Sequence, residues 1–239
     1  MTKRVKKRFT SEVKVIDFQP YLPQKKQRVS LQARNANQKT YIQKLQDEDK
    51  SIIFAIGPAG TGKTMLAVQH GIKLFQEGIV DKIIVTRPAV SVDEDLGFLP
   101  GTLNEKMAPW TRPIFDVLGE YYQAKDIAKM LEDGTIEISP LAYMRGRTFK
   151  HAYIVADECQ NTTVNQMKML LTRLGEGSKM VVTGDLAQAD RMNDNGLIEF
   201  CNLLSKKPGL KHIDIVQFDH RDIERHNAVK EVLSIYGDS

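Results

Sequence analysis

From Ser51 onward the chain alternates between two hydrophobic rhythms. Short runs of consecutive apolar residues, at Ile52–Ile56, Lys82–Thr86, Ala152–Ala156 and Lys179–Thr183, read as strands covered on both faces. Thr135–Ile138 and His212–Val216 are two further strand candidates. Between them the period changes to that of a helix. Met65, Val68, Ile72 and Phe75 recur on one face and end at Gly78, a fitting C-terminal cap. Val164, Met167, Leu171 and Leu174 repeat the spacing behind the capping candidates Thr162 and Thr163, and Val229, Val232, Leu233 and Tyr236 form a last stripe. The methionines on these faces read as core filler. Strand–helix alternation predicts a mostly parallel sheet flanked by helices. The exception is 91–122, where Pro100, Pro109 and Pro113 are expected to break any long helix, which predicts an inserted, partly helical lobe. Before Ser51 the pattern is irregular, with an extended linker expected around Pro20–Gln27.

Composition adds limits. The 239 residues, 41% hydrophobic and 27% charged, suit one globular α/β domain, expected over 37–239 behind a basic, partly disordered arm at 1–36. No apolar run approaches the ~18 residues of a membrane span. The basic start lacks a following apolar segment and so does not read as a signal peptide. Two cysteines, Cys159 and Cys201, give neither a disulfide framework nor metal-ligand spacing, and a reducing cytoplasm is the expected compartment. Net charge is +4, but residues 1–50 hold 13 Lys/Arg against 5 Asp/Glu and the rest 21 against 25. The whole positive excess lies in the first fifth of the chain, densest at Lys3–Arg8. Such a block either neutralises nucleic-acid phosphates or serves as a solubilising tail.

GPAGTGKT, Gly57 to Thr64, follows one predicted strand and opens the Met65–Phe75 helix, the setting in which this pattern cradles phosphates. Gly57, Gly60 and Gly62, with Pro58, Ala59 and Thr61 between them, let backbone N–H groups turn toward phosphate oxygens at a helix N-terminus. Lys63 would reach the β- and γ-phosphates, and the Thr64 hydroxyl would hold Mg²⁺. The Ala152–Ala156 strand runs into Asp157-Glu158, placing one acid to bind the metal and the next to activate water. A third strand ends in VVTGDLAQ, Val181 to Gln188. Ligands of parallel sheets bind outside the carboxyl ends of the strands, so the three ends are expected to share one crevice. There Asp185 would join the nucleotide site, and Gln188 could sense the γ-phosphate or place water without adding charge. Cys159 and His151 read as structural.

These three motifs in this order resemble motifs I, II and III of superfamily 1 helicase-type ATPases. VTRPAV (Val85–Val90), LGFLPGTLNEKMAPWTRPIFD (Leu96–Asp116), AYMRGRTF (Ala142–Phe149), DECQNTT (Asp157–Thr163) and NGLIEF (Asn195–Phe200) narrow the likeness to the PhoH family of ATPases, over roughly Asn37 to Tyr236. Cys159 stands where that family usually has Ala. The resemblance implies a RecA-like P-loop core that binds and hydrolyses ATP with Mg²⁺, commonly coupled to single-stranded RNA. Gln38 is similar to the adenine-reading glutamine of superfamily 1. RHNAV resembles the family's RHPLV, making Arg225 a candidate arginine finger, with Arg221 close enough in sequence to compete. Arg87, Arg145 and Arg147 are candidates for RNA phosphate contacts or a subunit interface. A single core that needs a finger can take it from a neighbour, which points to a ring of identical subunits, six by family resemblance. Two other classes share the phosphate loop: a small-molecule kinase, and a nucleotide-gated oligomeric adaptor with little turnover.

Overall fold

Six strands build one all-parallel sheet in a computed structural model that describes residues 28–88, 103–190, 193–224 and 227–236. They are β1 (Ile52–Ile56), β2 (Lys82–Thr86), β3 (Ile136–Ile138), β4 (Ala152–Ala156), β5 (Lys179–Gly184) and β6 (Ile213–Gln217), each within a residue of its predicted bounds. Their order is β3-β2-β4-β5-β1-β6. The phosphate-loop strand β1 thus pairs with β5 and β6, and β5 in turn pairs with β4. One strand separates β1 from the acid-ending β4, the arrangement of a RecA-like core. Because every pairing is parallel, the loop and the two acidic strand ends lie along one edge.

Both faces of the sheet are covered, which is why the strands read as unbroken apolar runs. Along β1, Ile53 and Ala55 enter one core cluster and Ile52, Phe54 and Ile56 the other, as period-two alternation requires. The first cluster packs beneath α1 (Ala36–Gln46), α2 (Lys63–Gln76), α3 (Leu103–Gly119) and α4 (Ala124–Glu132). The second packs beneath α5 (Val164–Leu171) and α6 (Gly196–Ser205), with Phe54 stacked on Phe200 at 4.8 Å. The chain ends in α7 (Asn227–Tyr236). Among the described residues no helix is long and apolar enough to cross a membrane.

Four features differ from the sequence reading. Helix α3 runs for 17 residues straight through Pro109 and Pro113. Each proline removes a helical hydrogen bond, at a cost of about 3 kcal/mol. Burial of Ile114, Val117 and Leu118 contributes roughly 1.5–3 kcal/mol per side chain, enough to offset that. The second half of the expected lobe is therefore part of the main core, while 89–102 lie outside the described residues. Helix α5 stops at Leu171, and the residue buried in its last turn is Leu170. Leu174 sits instead in a bridge to Phe149. Of the stripe expected on α7, Val229 and Val232 are 39% and 49% exposed, as is the neighbouring Ile235 at 81%, while the side chains of Leu233 and Tyr236 lie outside the described ones. At the other end, Val29 is buried and Leu31 packs on the same cluster, so the folded unit takes in residues ahead of the 36/37 boundary. Residues 1–27, with the densest basic block, lie outside the described residues.

Candidate nucleotide site

The loop after β1 leads directly into α2, whose first two residues are Lys63 and Thr64. Two of its glycines are required by geometry. Gly57 has φ 148, and a Cβ there would lie 2.4 Å from the Phe218 carbonyl oxygen. Gly62 caps α2 at φ 82 with the Gln38 amide nitrogen 3.0 Å from the place of a Cβ. Lys63 arches back over its own loop, its Nζ donating to the carbonyls of Gly57 and Pro58, each at 2.7 Å. Burial pulls the pKa of this ammonium down, and the carboxylates of Asp185, Glu158 and Asp157 oppose the shift. All three acids therefore act on the charge of the phosphate-loop lysine.

The acidic side is joined to the loop by short bonds. The Thr64 hydroxyl donates to Asp157 Oδ1 at 2.6 Å, and the Thr183 hydroxyl donates to the same oxygen at 2.6 Å. Asp157 is 3% exposed. Its neighbour Glu158 has φ 55 and ψ 46, a left-handed conformation that a glutamate adopts only when its surroundings hold it. Thr183 Oγ1 accepts from the Glu158 backbone N–H at 3.3 Å. Asp185 is buried, and its side chain accepts from Ala187 N–H at the turn Leu186–Gln188. Gln188 closes that turn and is exposed. Cys159 is fully buried in the second core cluster, which raises its thiol pKa well above the ordinary value. It is a packed residue, as expected.

The structure adds three elements that sequence reasoning missed. Gln160 donates to Glu158 Oε2 at 2.7 Å. The segment after β6 lies against the phosphate loop, with Glu224 N–H bonded to the Gly60 carbonyl at 3.0 Å. Helix α1 clasps both, through Asn37 to Asp222 at 2.8 Å and Gln38 to the Thr61 carbonyl at 3.0 Å. Only the last has a signal in the sequence, Gln38, for which the resemblance implies adenine reading. Gln38 is 1% exposed, and its Oε1 accepts from Arg34 N–H at 2.8 Å. Both ends of the amide are committed to backbone, one of them to the loop itself.

The arginines separate. Arg147 makes a two-bond ion pair with Glu137 on β3 and lies over the Phe149 ring, 4.5 Å from its centroid. Strand β3 is four strands from β1, roughly 19 Å at ~4.8 Å per strand, so Arg147 staples the far edge of the sheet. Arg145 beside it is exposed, next to Gly146 at φ 79. Arg87 follows β2, and its charge works against the burial that raises the thiol pKa of Cys159. Arg221 projects into solvent at 90% exposure and pairs with Asp219 at 2.6 Å. Arg225 lies outside the described residues.

The profile of the PhoH-like protein family matches residues 30–237. The chain belongs to that family. It is 44% identical over 209 residues to a PhoH-like protein of Bacillus subtilis strain 168, covering 87% of this chain and 64% of the relative. It is 42% identical over 208 residues to Protein PhoH of Escherichia coli K12, covering 85% of this chain and 57% of the relative. The chain thus spans about three fifths of the length of these relatives. Pif1 helicase from Candida albicans aligns over 85% of this chain and 44% of its own, at 14% identity and a TM-score of 0.37. The loop, the acids and the family together make this a P-loop type of nucleotide site.

The family implies Mg²⁺, and the residues present fit it. Thr64 and Asp157 supply two hard oxygen donors already in contact at 2.6 Å. Among the described residues no cluster of three or more His, Cys, Asp or Glu could hold a metal ion alone. An ion here would complete its shell with phosphate oxygens and water.

Proposed function

We propose that the chain binds ATP with Mg²⁺ and hydrolyses it, on or under the control of single-stranded RNA, as a ring of identical subunits. The observation that carries this reading is the contact between the first turn of α2 and the end of β4, through Thr64 and Asp157, with a second acid one residue on. A phosphotransferase needs the first acid alone; Glu158 supplies what hydrolysis adds, a base for water. Lys63, now held by two loop carbonyls, exchanges them for β- and γ-phosphate oxygens. Mg²⁺ held by Thr64 and Asp157 would neutralise charge on the same phosphates. Glu158 takes a proton from the attacking water, and Gln188 registers the γ-phosphate. An arginine from a neighbouring subunit, Arg225 or Arg221, completes the charge balance. The exposure of Arg221 and of the apolar side chains Val229, Val232 and Ile235 on α7 supports an assembly in which subunits face one another. The excess of eight positive charges in residues 1–50 supports an anionic polymer as partner.

The test compares inorganic phosphate release by the protein and by Glu158→Gln. A loss of about 10²-fold or more with ATP binding retained supports the reading. Equal turnover removes Glu158 from its role, and phosphate found on an acceptor other than water indicates a kinase.

A further inference from the structure

The side-chain amide of Gln160 spans two motifs that the reaction uses separately. Its Nε2 donates to Glu158 Oε2 at 2.7 Å, and its Oε1 accepts from the backbone N–H of Asp185 at 3.3 Å. One end holds the acid after β4, and the other holds the first residue after β5. Gln160 is 7% exposed, so neither bond competes with bulk water. Its backbone is fixed as well: Asn195 Nδ2 donates to the Gln160 carbonyl at 2.6 Å, while Asn195 Oδ1 caps α6 by accepting from Ile198 N–H. One residue on, Asn161 and Asp190 exchange two hydrogen bonds of 2.9 Å. The turn Leu186–Gln188 is therefore gripped on both sides by the short segment that follows Glu158. Gly184 leaves the space for this: a Cβ there would lie 2.5 Å from Leu197 Cδ2 and 3.4 Å from Gln160 Oε1.

We propose that Gln160 is a positioning residue that makes the setting of the Glu158 carboxylate depend on the position of the turn carrying Asp185 and Gln188. The proposal rests on the reading of Glu158 as the base for water. Glu158 occupies a left-handed backbone conformation, and its backbone N–H is tied to Thr183 at the end of β5. With its backbone so constrained, the carboxylate is aimed by whatever donates to it, and that donor is Gln160. When the turn follows the γ-phosphate, Asp185 N–H moves with it. The shared amide then carries that displacement to Glu158 Oε2 through two hydrogen bonds. Coupling of this kind links nucleotide state to the base without a direct bond between Gln188 and Glu158.

Two substitutions divide the amide. Gln160→Glu keeps an oxygen for Asp185 N–H but sets a second carboxylate where Glu158 had a donor. Gln160→Met keeps the length and removes both partners. The expected result for both is a tenfold or larger fall in kcat for phosphate release, with KM for ATP within about twofold of the parent. In the Glu158→Gln background, Gln160→Met is expected to lower kcat no further, because its effect passes through Glu158. A Gln160→Glu protein with parental kcat would overturn the proposal, since the amide would then serve Asp185 alone. So would losses that multiply between Glu158→Gln and Gln160→Met. Parental turnover in Glu158→Gln itself would defeat the underlying reading first, so the two failures are distinguishable. Melting temperature checks each variant, and if Gln160→Met does not fold, Gln160→Glu decides alone.

Discussion

Thr64 Oγ1 and Thr183 Oγ1 both donate to Asp157 Oδ1 at 2.6 Å, from the start of α2 and the end of β5. One carboxylate oxygen therefore ties three motifs together, and a metal ion would have to displace at least one of the two hydroxyls to reach it. Thr183→Val leaves Asp157 with the Thr64 bond and releases the backbone N–H of Glu158. The expected outcome is near-parental ATP affinity with kcat lowered about tenfold, read by steady-state phosphate release. Asp157→Asn is expected to lose the magnesium dependence of nucleotide binding, measured by titration calorimetry with and without the ion.

Gln38 is expected to act on the loop and not on the base. Its amide bonds Thr61 O and Arg34 N–H, and losing one or two such bonds is worth about 1 kcal/mol each. Gln38→Ala should weaken binding of ATP, GTP and inorganic tripolyphosphate alike, by about five- to thirtyfold. A loss confined to ATP would support the adenine-reading role that the resemblance implies.

His70 makes the fold sensitive to acid. Its Nδ1 meets the Tyr153 hydroxyl at 3.2 Å in the core, and burial, with Lys179 and Lys73 adding to it, pulls the ring's pKa from 6.5 down to about 3. As pH falls, the unfolded chain takes up the proton first. The stability conferred by the neutral ring is complete above about pH 6.5 and is lost progressively toward pH 3. At about 1.4 kcal/mol per unit, the loss between pH 6.5 and pH 5 is about 2 kcal/mol. Denaturant unfolding of His70→Gln should show a flatter dependence over that window, and an unchanged slope would assign the acid sensitivity elsewhere.

The apolar side of α7 gives an assembly test. Val232→Asp with Ile235→Asp changes two exposed residues and should leave the monomer's melting temperature within a few degrees. If α7 is covered by a neighbouring subunit, the double variant lowers the mass measured by light scattering at equal concentration. An unchanged mass places the subunit contact on another face.

The sheet was legible because buried parallel strands are written as consecutive apolar residues, and the phosphate loop because its glycines and lysine are contiguous. Asp157 and Glu158 followed from their place at a strand end. Other parts are written in residues far apart. Gln160 lies in a recognisable motif, but its partners are a side chain two residues back and a backbone N–H 25 residues on. The approach of the 218–224 segment to the loop depends on β6 pairing with β1, which no local pattern states. Arg147 looked like an anion contact because its partner, Glu137, belongs to a different segment. Pro109 and Pro113 looked like helix breakers because the burial that offsets them is tertiary.

The most direct measurement of the central claim is inorganic phosphate release from ATP by the full chain, with and without single-stranded RNA, across a salt series. The account predicts magnesium-dependent release that RNA increases at low salt, an increase that fades as salt rises, and loss of release in Glu158→Gln. Absence of release under all these conditions, or release indifferent to RNA at every salt concentration, would contradict it.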